Sequence, residues 1–107
     1  HINEMKSLLS RFSGVKFIFD NVKQKYYPVL RDAITSFRSK NEGKPLVVID
    51  DTPFIDFDIL DYPANDIEEI FLLKGSDAAI WGPKASNGII VIITQRGKST
   101  KIEQKEE

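Results

Sequence analysis

Apolar residues at spacings of three and four open the chain, and this spacing places side chains on one face of an α-helix. They are Ile2, Met5, Leu8, Leu9 and Phe12. The pattern predicts a short helix that ends near Ser13-Gly14. Residues 15–19 are β-branched and aromatic and precede the turn-forming pair Asp20-Asn21, so they predict a strand.

Residues 26–37 support two interpretations. Their apolar side chains recur with helical spacing, and Pro28 fits the first turn of a helix. Pro28 is also tolerated in an edge strand over residues 26–31. The spacing by itself favours the helix. The side chains that carry it are Val29, Leu30, Ala33, Ile34 and Phe37.

Strands alternate with short helices from residue 45 onward. Continuous apolar runs predict a buried central strand at 45–50 and a second strand at 88–94. This order is typical of an α+β fold in which a small mixed sheet of about four strands carries short helices. In the last strand we expect Ile89, Val91 and Ile93 to share a buried face, so that Val91→Asp would unfold the domain.

The segment between these two strands predicts three short elements. We expect a helical turn at 66–70 capped by Asn65, and a strand at 71–74 closed by Gly75. A short helix at 77–81 would follow, with Ser76 as its cap and Gly82-Pro83 at its end.

Composition limits the classes of protein. The 107 residues are 41% apolar, which is enough for one compact core, and the apolar pattern places a domain at 1–97 and a charged, disordered tail at 98–107. Lys and Arg total 15 against 16 Asp and Glu, so the net charge of −1 gives no field that attracts nucleic acid. The absence of cysteine excludes disulfides and thiolate metal sites.

A nucleotide-hydrolase interpretation fails on spacing. Residues 46–51 have the form of a Walker B strand, and Gly97-Lys98-Ser99 has the form of the end of a P-loop. A P-loop needs a second glycine five residues before Gly97, and Ile92 stands there inside a predicted strand. Backbone amides therefore cannot wrap a phosphate at this position.

An acidic stretch is the other candidate for chemistry. Its carboxylates could ligate calcium, but the glycine and distal glutamate of an EF-hand loop are missing. Alternation with Phe54, Phe57 and Leu60 favours a solvated acidic face with the apolar partners packed inward. With no internal histidine and no cysteine we expect no enzyme, no metal and no cofactor. The acidic residues are Asp50, Asp51, Asp56, Asp58, Asp61 and Asp66.

Four phrases from residue 45 onward resemble the plug domain of TonB-dependent outer-membrane receptors, especially its SusC-like branch from Bacteroidetes. Residues 45–53 (PLVVIDDTP) resemble the family's PL-apolar-VIDG-x-P, and residues 63–70 (PANDIEEI) resemble NP-x-DIE-x-I. Residues 71–82 (FLLKGSDAAIWG) are similar to VLKG-x-x-A-x-x-YG, and residues 85–94 (ASNGIIVIIT) to A-x-NGVI-x-I-x-T. Upstream, residues 8–15 look like L-x-R-x-x-GV. Residues 30–32 then stand at the family's IRG, which makes 26–31 a strand, and we follow this alignment over the helical spacing.

The resemblance implies a domain that occludes and gates the lumen of an outer-membrane nutrient receptor and faces the periplasm. Its partners would be the receptor's own β-barrel, TonB through a segment outside these residues, and a SusD-like surface lipoprotein, with no nucleic acid. Loop residues expected to face barrel or substrate are Thr52, Pro53, Asp56, Trp81, Lys84 and Asn87. Residues expected to keep the motif's structure are Arg31, Asp50, Asp66, Gly75, Gly82 and Gly88.

Two departures from the family pattern stand out. Asp32 and Asp51 occupy positions where the family has glycine, so a turn must be made with aspartate, which tolerates the left-handed region better than most residues. The Lys- and Glu-rich residues 98–107 leave an alternative function open. This is a plug-like interaction module without a barrel, at the end of a periplasmic or cell-surface protein.

Overall fold

The computed structural model describes residues 3–30 and 43–96. Helix α1 (Glu4–Leu9) begins at Asn3, whose side chain accepts a hydrogen bond from the Lys6 amide at 2.9 Å, and it buries Met5 and Leu9. The helix ends earlier than the predicted Ser13-Gly14. The Ser10 hydroxyl donates to the Ser7 carbonyl at 2.8 Å, and the Arg11 amide donates to the Leu8 carbonyl, three residues back instead of four.

Strands β1 (Val15–Asp20) and β2 (Lys25–Leu30) form an antiparallel two-stranded sheet. The predicted strand at β1 is confirmed. The strand that the resemblance predicts at 26–31 is confirmed up to Leu30, and the helical interpretation is wrong over the same residues. A two-stranded sheet has only edge strands, so Pro28, opposite Phe17, does not interrupt an inner strand. Residues 31–37 of that prediction lie outside the described residues.

The second sheet has four strands in the order β4-β3-β6-β5. Strands β3 (Leu46–Ile49) and β6 (Ile89–Thr94) lie parallel at its centre, and β4 (Thr52–Phe54) and β5 (Ile67–Leu73) flank them antiparallel. The two central strands are the two continuous apolar runs, as expected for strands covered on both faces. The predicted α+β fold with a mixed sheet of about four strands is confirmed.

The predicted helical turn at 66–70 is wrong. One 3-10 turn covers Ala64–Asp66, and every residue from Ile67 to Leu73 belongs to β5. A register shift between Ile67 and Glu69 accommodates an extra residue in β5, and such a bulge disturbs the period of two on which a strand prediction depends. Asn65 lies inside the turn instead of capping a helix.

Helix α2 (Ser76–Ala79) is one short turn that starts from Gly75, at φ 59° and ψ −132°. Gly75, not Ser76, occupies the capping position, and no side chain caps this helix. It ends at Ala79, two residues before the predicted last residue, Trp81. Two further 3-10 turns, Ile59–Asp61 and Pro83–Ala85, complete the described elements.

Two apolar clusters cover the two faces of the four-stranded sheet. The first contains Met5, Leu9, Leu30, Val47, Ile59, Ile90 and Ile92. The second contains Leu46, Val48, Ala78, Ala85 and Ile89, with Leu73, Trp81 and Val91 packed against it. The predicted burial is confirmed for Ile89, which is fully buried, but it is wrong for Val91 and Ile93, which are half-buried. On the opposite face Ile90, Ile92 and Thr94 are fully buried.

Candidate interaction surface

The turn between β3 and β4 consists of Asp50 and Asp51. Ile49 pairs with Thr52, so two residues close the hairpin, and both have positive φ, 49° and 70°. Two successive left-handed residues define the turn type that matches strand twist in two-residue hairpins. Asp51 thus adopts a left-handed conformation at a position where the family pattern has glycine. Thr52 and Pro53 follow on the exposed strand β4.

Asp50 fixes this turn to the end of β6. Its Oδ1 accepts a hydrogen bond from the Thr94 amide at 3.0 Å, and its Oδ2 accepts one from the Thr94 hydroxyl at 2.5 Å. The Asp50 amide donates to the Ile92 carbonyl at 3.0 Å. The carboxylate of the predicted motif residue is therefore structural, and its partner Thr94 is buried.

The loop after β4 borders an open groove of about 410 Å³. Phe54 and Ile55 are partly exposed at its wall, with Phe57 5.3 Å from Phe54 between ring centroids. Phe57 and Leu60 pack against the first apolar cluster as predicted, whereas Phe54 stays 37% exposed. The complete lining is Phe54, Ile55, Asp56, Phe57, Asp58, Asp61, Tyr62 and Pro63.

An ion-pair ladder connects this loop with the β1–β2 hairpin. Lys44 bridges Asp20 (3.2 Å) and Asp56 (2.8 Å). Lys23 bridges Asp56 (3.3 Å) and Asp58 (3.1 Å), and Lys25 bridges Asp58 (3.6 Å) and Asp61 (2.5 Å). Charges of opposite sign thus alternate through seven side chains. In order, the ladder contains Asp20, Lys44, Asp56, Lys23, Asp58, Lys25 and Asp61.

Contacts within the ladder shift the pKa values of Asp20, Asp56 and Lys44 in the direction that keeps these side chains charged. Hydrogen bonds from the Lys23 amide and then from Lys44 lower the pKa of Asp20, and the bond from Lys44 lowers the pKa of Asp56. Burial works to lower the pKa of Lys44, but its bonds to the two aspartates outweigh burial and raise it.

Tyr62 is a separate ionisable group beside the groove. Burial, and next the hydrogen bond from its hydroxyl to Asp66 Oδ2 at 2.6 Å, raise the pKa of Tyr62 to about 12. Asp66, a predicted motif residue directly before β5, therefore holds the Tyr62 hydroxyl.

The second predicted surface lies around α2 and the turn that follows it. Gly82 has φ 83° and ψ −169°, a region that is essentially restricted to glycine. Trp81 is half-buried against the second cluster, and Lys84 is exposed. Asn87 is buried, and its Nδ2 donates to the Lys44 carbonyl at 3.2 Å, so its side chain does not face outward as expected.

The remaining candidates divide between exposed and structural roles. Thr52, Pro53 and Asp56 are exposed, although Asp56 belongs to the ladder. Gly75 and Gly88, two of the predicted motif residues, both have positive φ. Arg31 and Asp32 lie outside the described residues.

The acidic stretch is more than a solvated face. Asp56, Asp58 and Asp61 are exposed, but each is paired with lysine, and Asp50 and Asp66 accept internal hydrogen bonds. Sequence reasoning missed the three lysines, because their partners stand 12 to 36 positions away. In the described part of the chain, no three His, Asp or Glu side chains are grouped to hold a metal ion.

The fold is that of a small α+β domain. Two turn-rich surfaces lie beside its four-stranded sheet. Residues 1–89 match the family model of the TonB-dependent receptor plug domain. The chain therefore belongs to the plug-domain family, a family of outer-membrane transport receptors and not of enzymes. No curated protein matches the chain. Within residues 3–30 and 43–96, no helix is long and apolar enough to cross a membrane.

Proposed function

We propose that this domain occludes and gates the lumen of a TonB-dependent nutrient receptor. The observation that carries the proposal is the family match over residues 1–89. A domain inside a wide, water-filled barrel has to be compact and polar on its outside, because the lumen of such barrels is polar. The charged, paired residues of the ladder fit that requirement.

The surfaces that would contact the barrel or a substrate are the two turn-rich regions. Thr52, Pro53 and Asp56 lie on one of them, and Trp81 and Lys84 on the other. The phrases at 45–53 and 85–94 support assignment to the SusC-like branch, and with it a SusD-like lipoprotein as a further partner. TonB would act on the receptor through a segment outside these residues.

The alternative is a plug-like interaction module that works without a barrel in a periplasmic or cell-surface protein. The observation that favours it is the Lys- and Glu-rich sequence of residues 98–107. The domain boundary at residue 97 remains a prediction, and this segment lies outside the described residues.

The parent gene beyond Glu107 distinguishes the two functions. A receptor is expected to continue into about 20 alternating apolar and polar segments of roughly ten residues with aromatic girdles. A reading frame that stops, or that enters another water-soluble domain, would contradict gating and support the interaction module.

A further inference from the structure

The two ends of the β1–β2 hairpin are held in different ways. At its base, Val15 and Phe17 pack against the first apolar cluster and Leu30 belongs to it. Residues 18–27, here called the distal hairpin, have much less apolar packing. Val22 is 93% exposed, and Ile18, Phe19 and Tyr26 are 41–49% exposed. Packing therefore fixes the base of the hairpin, and something else has to hold its distal part.

The ion-pair ladder is the main connection between the distal hairpin and the rest of the domain. Five of its six ion pairs join Asp20, Lys23 or Lys25 to Lys44 or to the loop aspartates. Further connections include two cation–π contacts, with Lys6 4.6 Å from the Tyr26 ring centroid and Lys44 4.8 Å from that of Tyr27. Among the described strands, β1 and β2 pair only with each other.

The ladder runs from a buried end to an exposed end. The side chains of Asp20 and Lys44 are 9% and 13% exposed, whereas those of Lys25 and Asp61 are 46% and 58% exposed. Salt screens exposed pairs strongly, since the Debye length falls from about 10 Å at 0.1 M to about 3 Å at 1 M salt. The pairs of Lys23 and Lys25 are therefore the connections that salt weakens first.

We propose that the distal hairpin is a releasable arm. It opens as a unit while the four-stranded sheet stays folded, and the ion-pair ladder sets how often it opens. Local opening of this kind is expected where few apolar contacts are lost. The inference depends on the geometry of the ladder and not on the proposed function, so failure of either one leaves the other standing.

Amide hydrogen exchange of the full 107-residue chain tests the proposal. Protection of amides in residues 18–27 and in strands β3 and β6 is compared at 0.05 M and 1 M NaCl. We expect about a tenfold loss of protection in the distal hairpin and a change below about twofold in β3 and β6. Equal changes in both regions, or no protection in the distal hairpin at low salt, would overturn the proposal.

A variant of the central lysine separates the ladder from general salt effects. Lys23→Ala removes two ion pairs and is expected to lower protection of the distal hairpin by about threefold to tenfold, with β3 and β6 unchanged. Lys23→Arg should restore protection. Lys16→Ala is the matched control, because Lys16 is exposed in the same hairpin and lies outside the ladder. Identical exchange in Lys23→Ala and Lys16→Ala would show that the ladder does not hold the arm.

Discussion

Asp50 and Thr94 are joined by two hydrogen bonds, one from the Thr94 amide and one from its hydroxyl, although 44 positions separate them in the sequence. The pair connects the hairpin turn, whose two residues are left-handed, to the last residue of the central strand β6. These hydrogen bonds satisfy the Asp50 carboxylate beside the core of the sheet. An unpaired carboxylate at this position would lower the stability of the fold.

Thr94→Val tests this pair. The substitution keeps the size of the side chain but removes the hydroxyl donor, so Asp50 Oδ2 loses its partner. Urea unfolding is expected to show a loss of about 1–3 kcal/mol. Thr52→Val is the matched control, because Thr52 is exposed on β4. Equal stability of the two variants would contradict a structural role for the pair.

Asp51→Gly is expected to stabilise the domain. Asp51 has φ 70° at the second position of the β3–β4 turn, where glycine adopts the conformation without steric cost. We expect a gain of about 0.5–1 kcal/mol in the free energy of unfolding. Asp77→Gly, in helix α2, should instead lose a similar amount. A loss of stability in Asp51→Gly would argue that the side chain, not the backbone, is needed in the turn.

The two faces of β6 should respond unequally to a buried charge. Ile92 is fully buried in the first cluster, so Ile92→Asp is expected to prevent folding. Val91 is half-buried, so Val91→Asp should be less damaging than the sequence pattern indicates. Circular dichroism with thermal melting measures both variants. A more stable Ile92→Asp than Val91→Asp would invert the assigned faces.

Tyr62 should titrate later than a solvent-exposed tyrosine. Its pKa in the folded state is about 12 against 10 in the unfolded chain, so the folded state favours the neutral phenol. The stabilisation is complete below pH 10 and is lost as the pH rises from 10 towards 12. Absorbance at alkaline pH should show a late step that disappears in Tyr62→Phe. In Asp66→Asn that step should move to lower pH, and an unchanged step would exclude Asp66 as a cause.

Continuous apolar runs predicted the central strands well, because β3 and β6 are covered on both faces. The pattern failed where tertiary contacts override local spacing. Val29 and Leu30 look helical because both are buried, yet they are neighbours in strand β2. The extra residue at the bulge near Glu69 interrupts the alternation of β5, so the sequence pattern predicted a helical turn where this strand begins.

The candidate surfaces were predictable only in part. The resemblance placed Thr52 and Lys84 at a surface, and both are exposed. The burial of Asn87 was not predictable, because its partner is the carbonyl of Lys44, 43 positions away. The ion-pair ladder left no signal in the sequence. Its members come from the hairpin, the segment before β3 and the loop after β4, and only the fold brings them together.

Single-channel conductance in planar bilayers tests the central claim most directly. It compares the complete parent receptor with a version that lacks residues 1–97. If the domain occludes the lumen, the complete receptor should be closed and the deleted version should conduct steadily through a wide pore. Equal conductance of the two proteins, with the deleted version correctly inserted, would contradict the account.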